Sequence, residues 1–303
     1  MSDYILLVLA IVCFSLQFVF MRFYEKSVDQ NMTNMLIMLV VVNIFGALLY
    51  LALGGFNINY SAFSIFWASV YAIIMIPYFL LGIKVLSLGS LAIYSIYMML
   101  GGMFVPFLYG IIFLQEEVTI GKILGCMGFI ICVILQYVCN TDKEKDKEKK
   151  SKKDTLIFLA LCLLIFFING FTGVIAKVHQ IDYRAIDEIS FTVISCAITA
   201  IISFIMLVIS ILINRKKVLK IKLSLKVKPL LIMLLLGVAM HTGNFFHLKA
   251  AINVPASVQF PLVSSGVIVL SAICSFFVFK EEIKGKERVA LVCAFISAFL
   301  FAF

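Results

Sequence analysis

Charge is scarce in this sequence. Only 14% of its 303 residues are charged while 63% are hydrophobic, which leaves too little polar surface to cover a soluble globule of this size and places the chain in lipid. Cysteine pairs at metal or redox spacing are also missing. The eight cysteines stand singly in apolar runs, with no CxxC and no histidine at ligand spacing, and are read as small packing residues. No HExxH, histidine box or Ser/His/Asp set is present, so the sequence offers no catalytic residues, no metal site and no cofactor, and the expectation is a protein that is not an enzyme. Acidic residues are absent from the core of every apolar run, the nearest being Asp187 and Glu188 at the mouth of the seventh. The first run has no basic flank, only Ser2 and Asp3, and no small-residue cleavage site after it. It reads as a retained span and not as a signal peptide.

What is present is apolar length. A membrane helix needs about 20 apolar residues, and the chain offers ten such runs, at 4–21, 32–53, 63–85, 88–114, 120–138, 155–176, 189–213, 229–251, 256–279 and 289–303. The last would span only about 22 Å at helical rise, so it must sit shallow or thin the bilayer. Several gaps are only a few residues long, which suits tight helix hairpins. The exception is the alternating-charge run 142–154, DKEKDKEKKSKKD, a solvated linker that cannot bury anything. It leaves five spans on either side, 1–141 and 155–303.

The two halves resemble one another. Moving 165 positions along the chain takes Lys84 to Lys249, Gly101 to Gly266, and Glu116-Glu117 to Glu281-Glu282. An odd number of spans per repeat makes the copies enter the membrane from opposite sides, so the expected fold is an all-α integral membrane protein of ten transmembrane helices in two inverted five-helix repeats. Charge bias tests this independently. Of the 25 Lys and Arg residues, 21 fall on the side reached after odd-numbered spans and four (Lys122, Lys177, Arg184 and Lys249) on the other. The positive-inside rule makes the crowded side cytoplasmic, with linker 142–154 and loop 214–228 inside and both termini outside a plasma membrane. Between Lys220 and Lys228 cationic and aliphatic residues nearly alternate. That segment reads as a topology anchor at the headgroups of an anionic leaflet, where each Lys contributes about 1 kcal/mol.

Ten spans in two repeats, each with a span ending in Lys (Lys84, Lys249), a short link (Ser87-Leu88-Gly89-Ser90; Asn253-Val254-Pro255-Ala256), a fourth span, then Glu116 or Glu281 and a Gly, resemble the EamA family of the drug/metabolite transporter superfamily. The resemblance implies an alternating-access carrier with a central cavity lined by the first, third and fourth spans of each repeat. It names no solute, because the superfamily handles amino acids, nucleosides, sugar phosphates, nucleotide sugars and cationic drugs. The expected function is therefore secondary, non-ATP transport of a small polar metabolite, amino acid- or nucleoside-like, by a monomer or homodimer with no nucleic-acid partner. A lipid or lipid-linked-sugar flippase of the same fold, or a non-transporting membrane scaffold, is the alternative.

Polar side chains at membrane depth are costly and nominate the substrate site. They are Gln17, Tyr71, Tyr78, Tyr94, Ser95 and Tyr97 in the first half, and Asn169, His241, Asn244, His247, Gln259, Ser264 and Ser265 in the second. His241 and Asn244 share a helix face, and His247 begins to rotate off it. Gln17 and Asn169 have a second reading as bonds across to a neighbouring helix backbone, and the tyrosines one as interfacial belt residues. Lys84 and Lys249 invite an anion clamp, but at helix C-termini they also snorkel and complement the dipole. Pro106 and Pro261 read as hinges.

Overall fold

The computed structural model describes residues 3–29, 31–115, 117–128, 130, 131, 134, 135, 152–213, 226–251, 253, 254, 256–281 and 285–300. Among them every regular element is helical: α1 Asp3–Ser27, α2 Met32–Leu53, α3 Ala62–Leu88, α4 Leu91–Leu114, α5 (residues 120–128), α6 Lys152–Ile181, α7 Glu188–Ile213, α8 Val227–Ala251, α9 Ala256–Phe277 and α10 Gly285–Leu300. Eight of these are long and apolar enough to cross a membrane, which makes the chain an all-helical, multi-pass membrane protein. Helices are the expected element, because in hydrocarbon each backbone N–H and C=O must be satisfied within its own segment.

Local chemistry sets where the helices start and stop. Asn31 caps α2, its side chain accepting from Asn34 N at 3.1 Å, and Ser90 caps α4 by accepting from Ile93 N at 3.3 Å. The small-residue link after the third span is thus a helix cap, with only Gly89 and Ser90 between α3 and α4. Gln115 ends α4 in the left-handed region at φ 54°. Of the ten expected spans, the fifth is described only in part, and the tenth is the short helix α10, with 16 residues. Helix α6 begins at Lys152, inside the last three residues of the charged run. The rest of that run, loop residues 214–225, and Glu116 and Glu282 lie outside the described residues.

Two compact units divide the chain. The first comprises Met1–Val19, Val85–Gly173 and Thr242–Phe303. In it α4 packs against α9, and the two run antiparallel. Glu281, just beyond the C-terminus of α9, accepts from Leu91 N at the start of α4 at 3.0 Å, and also from Ser275 Oγ in the last turns of α9. A carboxylate at that helix start satisfies an orphan N–H and complements the dipole.

Glycines set two crossings in this unit. A side chain at Gly101 of α4 would overlap the Phe166 backbone carbonyl of α6, and a Cβ at Gly266 of α9 would lie 2.6 Å from Ile11 Cδ1 of α1. The two glycines that the 165-residue shift superposes therefore each admit another helix, α6 in one case and α1 in the other. Asn169 also faces Gly102, and Gly173 faces Pro106, so α4 and α6 approach closely along this face.

The second unit comprises Phe20–Lys84 and Val174–His241. Here α2 packs along α7, again antiparallel. The hydroxyls of Thr33, at the start of α2, and Ser210, near the end of α7, lie 3.4 Å apart. At the other end Gly54 meets Ile189, in the first turn of α7.

Candidate functional site

The sequence candidates fall into both units. Tyr71, Tyr78 and His241 belong to the second, and Gln17, Tyr94, Tyr97, Asn169, Asn244, His247, Gln259 and Ser264 to the first. The expected grouping of His241 with Asn244 and His247 is thus not contained in either unit.

In the first unit several candidates already have protein partners. Asn169 Nδ2 donates to the Met98 carbonyl of α4 at 2.6 Å, so this side chain ties two helices together, its structural reading. Gln259 Nε2 donates to the His247 carbonyl at 2.6 Å and is buried. The His247 ring meets Phe14 and Phe260 edge-on, at centroid distances of 6.0 and 5.2 Å. Tyr94 is fully buried against Phe18, with centroids 5.3 Å apart and planes at 79°. Gln17, Tyr97 and Ser264 are buried, and Asn244 is half-buried. Ser265 Oγ donates to the Pro261 carbonyl at 2.6 Å, one turn back along α9. Lys84 and Lys249 are both exposed, and the Lys249 ammonium lies 5.7 Å from the Phe245 ring centroid.

His241 stands apart. It is 1% exposed, and neither ring nitrogen has a hydrogen-bond partner. Val42, Gly46 and Tyr50 recur every four residues on one face of α2, and the imidazole occupies the notch that Gly46 leaves; any side chain there would overlap the ring. Tyr50 closes the other side, its hydroxyl donating to the His241 carbonyl at 3.1 Å and its ring set edge-on at 5.9 Å. A buried, unpaired polar group costs about 1–3 kcal/mol, which a ligand, a water or a second arrangement of the helices would relieve. Of the other two candidates here, Tyr71 packs edge-on to Phe191 and Tyr78 to Phe79.

Sequence reasoning passed over Tyr50 and His179. Tyr50 sits near the end of a span, where an interfacial role is the default. His179 sits in the last turn of α6, buried among Phe63, Phe191 and Ser64. Around it the segment before α3 docks on the α6–α7 loop. Asn59 Nδ2 donates to Asp187 Oδ2 at 2.9 Å, Asn59 N donates to Ser190 Oγ at 3.0 Å, and Ile186 N donates to Ser64 Oγ at 3.2 Å. Arg184 pairs with Asp182 at 2.8 Å and lies 4.4 Å above the Phe63 ring. The Arg184 hydrogen bonds hold the Asp182 carboxyl down at about 2. Burial pushes Asp187 up, but donors from Ser190 and Asn59 outweigh it and leave the group below its ordinary value. A usable signal existed: Asn59, Ser61 and Ser64 face a polar 182–188 loop, a density of donors and acceptors unusual for this chain.

No family model matches this chain, and no curated protein matches it in sequence.

Proposed function

We propose that this protein is a secondary membrane carrier, independent of ATP, that moves a small polar metabolite of amino acid- or nucleoside-like chemistry by alternating access. Its two five-helix halves form inverted repeats of the EamA type. The observation that carries this reading is the antiparallel pairing of repeat-equivalent helices, the second with the seventh span and the fourth with the ninth. Inverted repeats bring equivalent elements together in opposite directions, and such folds carry solute sites near mid-membrane where the halves meet. The matching contacts of Gly101 and Gly266 support the same relation.

On this reading the candidates for solute contact are the polar side chains at membrane depth: Gln17, Tyr71, Tyr78, Tyr94, Tyr97, His241, Asn244, His247 and Ser264. Asn169 and Gln259 hold the backbone that presents them. His241 is the strongest of these, because its imidazole is buried without a partner. Pro106 and Pro261 act as hinges in the fourth and ninth spans. The protein lies in the plasma membrane with the lysine-rich loops in the cytoplasm and both termini outside, following the positive-inside rule.

Purified protein is screened by thermal shift against amino acids, nucleosides and sugar phosphates, and the hits are taken into proteoliposome uptake. One chemical class should raise Tm by a few degrees and be accumulated, and His241→Ala should abolish both effects. Scrambling of labelled lipid with no solute hit would replace this reading with the flippase.

A further inference from the structure

One end of the second unit carries a line of polar groups that the carrier reading does not use. His179 Nε2 lies 2.9 Å from Ser64 Oγ, Ser64 Oγ lies 2.9 Å from Ser61 Oγ, and Ser61 Oγ lies 2.9 Å from the Arg184 carbonyl oxygen. Two backbone N–H groups complete the set, Ile186 N donating to Ser64 Oγ at 3.2 Å and Ser64 N to Ser61 Oγ at 3.1 Å.

Counting protons makes this line directional. Each serine hydroxyl has one proton to give and two lone pairs to accept with. The Arg184 carbonyl can only accept. If Ser61 gives its proton to that carbonyl, the Ser61–Ser64 contact is made by the Ser64 proton, and the His179–Ser64 contact must then be made by a proton on Nε2. In that arrangement every lone pair of both serines is used: Ser64 accepts from His179 and Ile186, and Ser61 accepts from both donors of Ser64. If Nε2 carries no proton, the line runs the other way. Ser64 gives to His179, Ser61 gives to Ser64, and the Arg184 carbonyl loses its donor. An imidazolium has a proton on Nε2 in every case, so charging the ring permits only the first arrangement.

We propose that His179 is a proton-binding site whose protonation sets the direction of the hydrogen bonds through Ser64 and Ser61 to the Arg184 carbonyl, fastening the α6–α7 loop to the start of α3. The proton taken up comes from solvent and stays on the imidazole, while the hydroxyl protons only change partner. The surroundings suit the task. His179 is buried and stacked on Phe191 with ring centroids 4.1 Å apart, which fixes the ring plane. The charged and titratable groups around it are Lys177 on its own helix; Asp182, Tyr183 and Arg184 on the loop; and Asp187 and Glu188 at the start of α7. The start of α3 faces it with Phe63 and Ser64, neither of which titrates. Asp182 and Asp187 remain ionised at and above neutral pH, and Glu188 is held by Gln180 Nε2 at 2.6 Å. His241 offers no comparable line, since neither of its nitrogens has a partner.

The test uses the full chain, labelled with ¹⁵N at its three histidines, each assigned by its Gln variant. Ring-nitrogen spectra and amide exchange of residues 182–187, corrected for intrinsic pH dependence, are followed between about pH 5 and 8, the range in which histidines change charge. The His179 ring should titrate in this window with Nε2 protonated on its acid side, and loop exchange should slow as it does so. Ser61→Ala should keep the ring titration and lose the pH dependence of loop exchange. Ser64→Thr, which retains a hydroxyl, and Glu188→Gln should keep both. A His179 ring that does not titrate in the window overturns the proposal. So does loop exchange whose pH dependence survives Ser61→Ala or disappears in Glu188→Gln.

Discussion

Two glycines give way to two different things. At Gly101, in the first unit, the space is taken by the Phe166 backbone carbonyl; at Gly46, in the second, it is taken by the His241 imidazole. In lipid no hydrophobic force drives helices together, so close backbone approach and interhelical hydrogen bonds hold the bundle. The Gly101 contact is of that kind, backbone against backbone, and belongs to the scaffold. The Gly46 contact spends the same opening on a polar side chain that gains no hydrogen bond from its position. A scaffold contact lowers the energy of one arrangement, whereas a buried unpaired group raises it, and this second behaviour is what a binding or switching element requires.

Substitution separates the two cases, most severely at Gly101. Gly101→Ala forces α4 away from α6 and should cost about 3 kcal/mol in reversible unfolding in detergent, the upper part of the range for overpacking. Because the obstruction is backbone, Phe166→Ala should not restore stability; if it does, the helices are held by side-chain packing. Gly46→Ala should cost about 2 kcal/mol by the same mechanism, but His241→Ala in the same chain should recover most of it, a coupling read from the double-mutant cycle. Additive losses would remove the imidazole from the Gly46 notch.

A smaller effect of opposite sign is expected when His241 alone becomes apolar. His241→Leu removes the unpaired nitrogens at similar volume and should stabilise the protein by about 1 kcal/mol while abolishing uptake. A destabilised variant would show that the ring has a partner. The smallest effect lies in the loop. Arg184 holds the Asp182 carboxyl at about 2, below its ordinary value, so its contribution to stability is present above the ordinary value and lost as pH falls toward 2. Since the Asp182–Arg184 pair lies at the surface, with Arg184 exposed, solvent screening keeps its contribution small, and Asp182→Asn should flatten the acid limb of a Tm–pH curve only slightly and leave Tm at neutral pH nearly unchanged.

Much of the fold was legible because lipid imposes length and apolarity on each span. The run 32–53 coincides with α2, and the Ser90 link, read as a small-residue turn, is an N-cap. The site was harder to read. Polarity at membrane depth nominated Asn169 and Gln259 as readily as His241, yet two of the three donate to neighbouring carbonyls and the third has no partner. That difference depends on which carbonyl lies opposite, a property of the helix crossing and not of the side chain. His179 escaped notice because the serine it meets, Ser64, comes from a segment more than a hundred positions away in sequence.

The opposed directions of equivalent helices can be tested by cross-linking. In a cysteine-free background, cysteines at Thr33 and Ser210 should form a disulfide under mild oxidation, because those hydroxyls lie 3.4 Å apart. Cysteines at Thr33 and Ile189 should not, because they would be separated by roughly the 30 Å length of α2. Rapid cross-linking of the second pair and not the first would mean that α2 and α7 run in the same direction, and the inverted repeat would be gone.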